Sequence, residues 1–171
     1  NIMGLWMIQS TRKEFRQNYS YSQICSLASA ETIPSIVDCN DGRFLAPKSM
    51  IEEIKNYCLE TNQPVPETDA QIAAVIYNSL AVCYKNTVEE LEGITGRKYE
   101  NIHIIGGGSN ADYLNSITAK YTKCNVYAGP AEATAIGNIL VQMLSTRKLE
   151  SLAQARECVR NSFEIKEYKA F

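Results

Sequence analysis

The best candidate for a ligand-binding site in this sequence is a run of three consecutive glycines, Gly106, Gly107 and Gly108. They follow a short apolar run and precede a segment with helical spacing, so the sequence predicts a strand, a tight turn and a helix. Because glycine has no Cβ, the main chain there can adopt positive φ and approach a flat or anionic ligand closely. A nucleotide fits such a turn, although glycines can also serve a turn that binds nothing.

The same residues fit a second pattern, the dinucleotide fingerprint G-x-G-x-x-A, through Gly106, Gly108 and Ala111. That fingerprint needs an acidic residue at the end of the next strand, where it binds a ribose. The next predicted strand ends in the sequence AGP at 128–130, and the nearest acid, Glu132, belongs to the following helix. An NAD site of a Rossmann oxidoreductase is therefore the poorer fit.

The composition is typical of one folded domain and gives no indication of a strongly charged partner. The chain has 171 residues, of which 45% are hydrophobic and 21% charged. Its 17 basic and 19 acidic residues give a net charge of −2, and the basic residues are scattered. A protein that binds the nucleic-acid backbone needs a positive surface, so the composition argues against nucleic acid as a partner.

Six cysteines and one histidine, His103, could in principle ligate a metal or act as nucleophiles. The cysteines lie at least fourteen positions apart, which predicts neither a zinc site nor a Cys-His pair close in sequence. Several occupy apolar positions of helical patterns, as Cys83 does beside Leu80 and Tyr84, so we expect reduced core thiols in a cytoplasmic protein. No run of about 18 apolar residues occurs, and no membrane span is expected.

The spacing of apolar residues predicts a helix-rich α/β domain with few strands. Strand, helix, strand and helix follow one another after residue 101, so we expect parallel strands joined by a right-handed crossover. Thr68 with Gln71 should form a capping box after a proline-rich linker. The predicted helices span 1–18, 20–30, 48–60, 68–96, 111–120, 131–144 and 151–162, and the predicted strands span 102–105 and 125–127.

Two apolar stripes are expected to face the core. Met3, Trp6 and Met7 form one stripe at the start of the chain, and the longest helix carries the other from Ile72 to Leu91. Two strands are too few for a parallel sheet with helices on both faces. We therefore expect the domain to be incomplete, with its remaining strands before Asn1 in a longer protein.

Five separated motifs resemble the FGGY carbohydrate kinases, and within that family the rhamnulokinases. Together they span most of the chain and occur in the same order, which is more specific than any one motif alone. They are NIMGLWMIQ at 1–9, NDGRF at 40–44, QPVPETD at 63–69, GGG at 106–108 and AGPAEAT at 128–134.

The resemblance implies a protein of two lobes with the actin-like ATPase, ribonuclease-H-like fold, in which sugar and ATP meet in the cleft. Residues 1–171 would be part of the C-terminal, nucleotide-binding lobe, with the N-terminal sugar-binding lobe as its partner. ATP, as its magnesium complex, would phosphorylate the primary hydroxyl of L-rhamnulose to give L-rhamnulose 1-phosphate.

The resemblance also implies roles for particular residues. Asn1 would contact the sugar and Gln9 the nucleotide, while Gly107 would contact the nucleotide within the turn that Gly106 and Gly108 shape. Because Asn1 and Gln9 are eight residues apart on a predicted helix, their side chains should share roughly one face. Asn110 could contact the nucleotide, but as a common N-cap residue it is expected to cap the next helix.

The resemblance further implies a catalytic aspartate and phosphate-binding loops that precede Asn1, so the chain alone should be inactive. The aspartates at 38, 41, 69 and 112 fall in predicted loops or helix starts and lack the motif of the family's base. Glu132 is expected in the first turn of its helix. Some relatives carry a cysteine at the position of Val75 that could pair with the one matching Cys58, and that disulfide cannot form here.

Three other functions stay open at this point. The chain could belong to another FGGY kinase, specific for a sugar such as xylulose or fuculose, or to a non-catalytic actin-like nucleotide-binding module. An NAD-binding oxidoreductase domain is the third.

Overall fold

Seven α-helices, two short 3-10 helices and three strands are formed by residues 2–170, the part of the chain that the computed structural model describes. The elements are α1 (Trp6–Arg12), α2 (Tyr21–Ser29), a 3-10 helix (Gly42–Phe44), α3 (Met50–Glu60), α4 (Asp69–Thr95), β1 (Asn101–Ile104), a 3-10 helix (Gly106–Asn110), α5 (Asp112–Thr122), β2 (Asn125–Ala128), α6 (Ala133–Ser145), α7 (Leu152–Ser162) and β3 (Lys166–Tyr168). The helices pack mainly on one another, and α5 makes the main helix contact with the small sheet.

Local capping explains why several helices begin where the sequence predicts. Ser20 and Gln23 form a complete capping box at the start of α2. At α4 only half of the predicted box forms: Thr68 accepts the Gln71 backbone N–H at 3.1 Å, but the Gln71 side chain accepts from the Glu67 backbone instead. The helix ends at Gly96, which adopts φ +66°.

Helix α1 is shorter than the prediction of 1–18 at both ends. It begins at Trp6, so the expected helix face shared by residues 1 and 9 does not extend through residues 2–5, where the Met3 backbone N–H donates to Asn40 at 2.9 Å. At the other end, tertiary hydrogen bonds hold the residues that follow Arg12. The Glu14 carboxylate accepts the Met50 backbone N–H at 2.8 Å, and the Arg16 N–H donates to Asp69 at 3.1 Å. These bonds tie the segment to the starts of α3 and α4. The predicted core stripe is correct for Met7, which is fully buried, and wrong for Trp6, which is 43% exposed.

The core lies around the first half of α4, which packs against α2 and α5. Val75 and Cys58 are both fully buried, and no disulfide joins any cysteine of the described residues. Five of the six thiols are buried and one, that of Cys158, is partly exposed. Burial raises the pKa of the Cys39 thiol to about 12, so it stays protonated near neutral pH.

The sheet confirms the predicted parallel pair and adds a strand that the sequence did not predict. β1 and β2 are parallel, with Ile102 opposite Val126, and α5 is the connection between them. β3 pairs antiparallel with β2 at the other edge, so the order is β1-β2-β3. The β3 segment, KEY at 166–168, is short and polar and carries no alternating apolar pattern that would predict a strand.

An apolar groove of about 590 Å³ runs along β1 between the second half of α4 and α5. β1 pairs with β2 alone among the described residues, so its other edge is free. Leu91, expected to be buried on α4, is 46% exposed in this groove, and Val88 is half-buried. The predicted apolar face of α4 is therefore correct only where α2 and α5 cover it. Helix α6, although apolar, contains no buried residue.

No helix within residues 2–170 combines the length and the apolar character needed to cross a membrane.

Candidate functional site

The three glycines form the start of a 3-10 helix, Gly106–Asn110, which we call the glycine turn. Gly106 adopts φ +74°, whereas Gly107 and Gly108 lie outside the left-handed region. The Gly106 N–H donates to the Pro130 carbonyl at 3.2 Å, which ties the turn to the loop after β2. Only one of the three positions thus needs glycine for its backbone conformation.

Hydrogen bonds hold the glycine turn against α5. The Ser109 hydroxyl donates to the Gly106 carbonyl at 2.7 Å. The Asn115 side chain donates to the Ser109 carbonyl at 3.1 Å and to the Gly108 carbonyl at 3.4 Å. These carbonyls are therefore satisfied from within the protein, and the turn has a fixed shape before any ligand arrives.

A cavity of about 410 Å³ opens beside this turn. Its walls are formed by α1 and α2 near the start of the chain, by α4 and by the glycine turn. None of the described lining residues carries a charged side chain. They are Leu5, Ile8, Gln9, Tyr21, Cys25, Tyr77, Gly107, Gly108, Asn110 and Ala111.

Two tyrosines give the cavity an aromatic character. Tyr21 is 47% exposed as a residue, and the Arg12 guanidinium lies 4.8 Å from the centroid of its ring, a cation–π contact that holds the ring. Tyr77 is buried, and the Cys25 thiol donates to its hydroxyl at 3.4 Å. Burial, with the bond to Cys25, raises the pKa of Tyr77, so its hydroxyl remains neutral. A flat, uncharged group with polar edges suits such a lining.

The structure places Gln9, Gly107 and Gly108 together on the cavity wall, and their contact with a nucleotide stays a prediction. Gly106 is one residue behind the wall, where it allows the chain to turn. A Cβ at Gly107 would have no atom within 4 Å, so a larger side chain there would extend into open space beside the cavity. The predicted sugar ligand Asn1 lies outside the described residues.

The expectation that Asn110 caps the following helix is wrong. Ala111 precedes α5, and no side chain caps that helix. The Asn110 side chain instead lines the cavity. Glu132 directly precedes α6 rather than lying in its first turn, and it makes no capping hydrogen bond.

Sequence reasoning missed the tyrosines and Cys25. Tyr21, Cys25 and Tyr77 lie on helices that meet the glycine turn only in the folded chain. Each also sits in an ordinary helical pattern, so no local signal separated it from a core residue.

Each of the four aspartates that the sequence singled out already has a structural partner, and none lines the cavity. Asp112 accepts from the Tyr168 hydroxyl at 2.6 Å and from Lys166 at 2.9 Å, and these bonds lower the pKa of its carboxyl. The remaining three accept backbone N–H groups: Asp38 from Asn40, Asp41 from Arg43 and Asp69 from Arg16. Within residues 2–170, no cluster of three or more potential ligands (His, Cys, Asp or Glu) could hold a metal ion.

Comparison with known proteins gives a consistent picture. The model of the FGGY family of carbohydrate kinases, C-terminal domain, matches residues 1–146. The chain is 43% identical to a rhamnulokinase of Oceanobacillus iheyensis over 168 residues, which are 98% of this chain and 36% of that protein. It is 44% identical to a rhamnulokinase of Bacillus subtilis (97% of this chain, 34% of that protein) and 45% identical to one of Ligilactobacillus salivarius (98% and 35%). The chain therefore spans about a third of the length of these relatives.

Proposed function

This chain belongs to the FGGY family of carbohydrate kinases, and on that basis we propose that it is the nucleotide-binding part of a kinase that transfers a phosphoryl group from ATP to L-rhamnulose. The relatives named above are all rhamnulokinases, which supports L-rhamnulose as the sugar and L-rhamnulose 1-phosphate as the product. The alternative of an NAD-binding oxidoreductase loses its basis, because the family match covers the glycine turn on which it rested.

The observation that carries this proposal is the uncharged, aromatic cavity beside the glycine turn. Its volume and lining suit the nucleoside end of ATP rather than the triphosphate, which needs cations and backbone N–H groups. The amides of Gln9 and Asn110 each offer donors and an acceptor to the edge of a base or to ribose hydroxyls. The Tyr21 ring can pack against the base.

We assign the phosphates, their magnesium ion and the catalytic base to residues outside this chain. The described lining of the cavity has neither a basic side chain for phosphates nor a carboxylate for a metal or a proton. ATP, as its magnesium complex, supplies the phosphoryl group, and an aspartate from the rest of the protein takes the proton of the sugar hydroxyl. Asn1 contacts the sugar in this proposal. The chain alone should not phosphorylate sugar.

The free edge of β1 supports a proposal about how this domain is completed. An unpaired strand edge beside an apolar groove is the arrangement that a further strand would complete, and the relatives are about three times longer than this chain. We place strands of the same lobe there, contributed by the part of the protein that precedes residue 1, with the sugar-binding lobe beyond them. The six free thiols support a reducing compartment such as the cytoplasm.

The test is a binding and activity panel on the full-length protein. ATP, GTP and NAD are titrated by calorimetry, and phosphorylation of L-rhamnulose, L-fuculose and D-xylulose is measured. ATP binding with a clear preference for L-rhamnulose supports the proposal. A preference for another ketose would indicate a different FGGY kinase, and ATP binding without phosphorylation of any sugar would indicate a non-catalytic module. NAD binding without ATP binding would refute a kinase role.

A further inference from the structure

Asn115 lies in the first turn of α5. Its side-chain amide is buried and contacts the glycine turn, but it does not line the cavity. Its side chain is fully buried. Its Nδ2 group donates to the carbonyls of Ser109 and Gly108, at 3.1 and 3.4 Å. A side-chain amide nitrogen has two hydrogens, so one residue can satisfy both carbonyls.

The oxygen of this amide, Oδ1, reduces the stability that Asn115 can give to the fold. Its Oδ1 is one of two buried side-chain oxygens without a hydrogen-bond partner among residues 2–170, and the residue also lines the apolar groove. A buried acceptor without a donor is unfavourable, whereas an apolar side chain would avoid that cost beside an apolar groove. The two bonds to the turn, together with a contact to the Tyr168 hydroxyl, are the interactions that an apolar residue could not supply.

Those bonds act directly on the wall of the cavity. Gly108 belongs to the wall, and Ser109 lies between Gly108 and Asn110, which also belongs to it. Without the amide, the Ser109 carbonyl would lose its buried donor, and the Gly108 carbonyl would keep only the Ala111 backbone N–H, 3.1 Å away. The turn could then rotate the Ser109 carbonyl toward solvent or ligand. The wall would then have several conformations, of which only some fit the ligand.

We propose that Asn115 is a positioning residue for the nucleotide: it holds the carbonyls of Gly108 and Ser109 toward α5 and so fixes the cavity wall in the conformation that binds ATP. This inference rests on the nucleotide site proposed above. It adds a residue that acts through the glycine turn without touching the ligand.

The experiment measures ATP and L-rhamnulose kinetics and ATP binding in the full-length kinase with Asn115→Asp and Asn115→Ala. Asn115→Asp keeps the size of the side chain but removes both donors, and Asn115→Ala removes the whole amide. Each should weaken ATP binding and raise the KM for ATP about tenfold, the loss expected when buried carbonyls lose their donor. The KM for L-rhamnulose should change less than about twofold, within ordinary context effects for a site that does not contact the turn.

Two control variants separate positioning from general destabilisation. Ala119→Gly weakens the buried side of α5 without touching the turn. Asn138→Ala removes an amide that donates to a backbone carbonyl at 3.1 Å on exposed α6. Both should leave the KM for ATP unchanged, whatever they do to the unfolding midpoint.

The outcomes distinguish this proposal from the one beneath it. If the wild-type protein binds no ATP, the nucleotide site itself is refuted. If the wild type binds ATP and both Asn115 variants bind it equally well, the positioning role is refuted. It is refuted as well if Ala119→Gly raises the KM for ATP as much as the Asn115 variants do, because the effect would then follow stability. If one Asn115 variant fails to fold, the other decides the result.

Discussion

Replacing Gly107 by valine tests the cavity wall most directly. Gly107 has a backbone conformation that other residues can adopt, and no atom lies within 4 Å of the position of an added Cβ. The free protein should therefore accept Gly107→Val with a change in unfolding free energy below about 1 kcal/mol. In the complex, the two methyl groups would compete with the ligand for space.

The expected loss follows from that competition. Forcing extra methyl groups into a well-packed site costs about 1 to 3 kcal/mol, which corresponds to a loss of affinity of about 5- to 150-fold. Isothermal titration of the full-length protein with ATP measures this loss, and a separate titration with L-rhamnulose should give an unchanged affinity. Gly107→Ala, which adds a single methyl group, should fall between wild type and Gly107→Val.

The matched control is Gly93→Val. Gly93 lies near the end of α4, and a Cβ there would also meet no atom within 4 Å, but the residue is remote from the cavity. Its ATP affinity should equal that of the wild type. Unchanged ATP affinity in Gly107→Val would refute the assignment of the turn as a nucleotide wall. Equal losses for ATP and sugar would indicate a general structural defect instead.

Three further substitutions test the framework of the site and of the sheet. Gly106→Ala places a side chain at φ +74° and should lower the unfolding free energy by about 1 kcal/mol in urea denaturation, whereas alanine at the next position should not. Gly129→Ala should cost about 2 kcal/mol or more, because its φ is +130° and a Cβ would lie 2.8 Å from the Glu164 carbonyl oxygen; a melting temperature within a degree or two of wild type would contradict that contact. Asp112→Asn tests a pH dependence. The hydrogen bond from Tyr168 lowers the pKa of the Asp112 carboxyl in the folded state, so the carboxylate raises the unfolding free energy above the unfolded pKa of about 4. This contribution disappears as the pH falls through the lowered pKa. Because the Asp112 carboxyl is largely solvated, the stability difference should be below about 1 kcal/mol near pH 7 and should shrink as the pH falls below about 4. A difference that grows on acidification would contradict this sign.

The parts of the fold that the sequence predicted are those that local chemistry determines. Ser20 and Ser49 cap helices through hydrogen bonds to backbone groups three residues ahead, and Gly96 ends α4 in the left-handed conformation. The glycine turn follows from the apolar run before it and the helical pattern after it. Such signals lie within a few residues of their effect, so one sequence is enough to detect them.

The parts of the fold that could not be predicted from the sequence depend on contacts between segments that are distant along the chain. β3 exists because a polar tail pairs with β2 about 40 positions earlier and bonds to Asp112 through Lys166 and Tyr168. Helix α1 ends early because Glu14 is held at the start of α3. The cavity proposed to bind the nucleotide was predicted only in part: its glycine wall was expected, but its aromatic wall comes from α2 and α4.

The free edge of β1 also affects how residues 1–171 would behave on their own in solution. At the opposite edge, β3 is only three residues long and carries Lys166 and Glu167, features that discourage pairing with another molecule. β1 instead presents isoleucines at 102 and 104, with neither proline nor lysine, beside an apolar groove. A solution of the isolated chain should therefore self-associate through this edge as its concentration rises. Sedimentation velocity would detect the larger species, and a strict monomer at high concentration would show that the edge is protected in some other way.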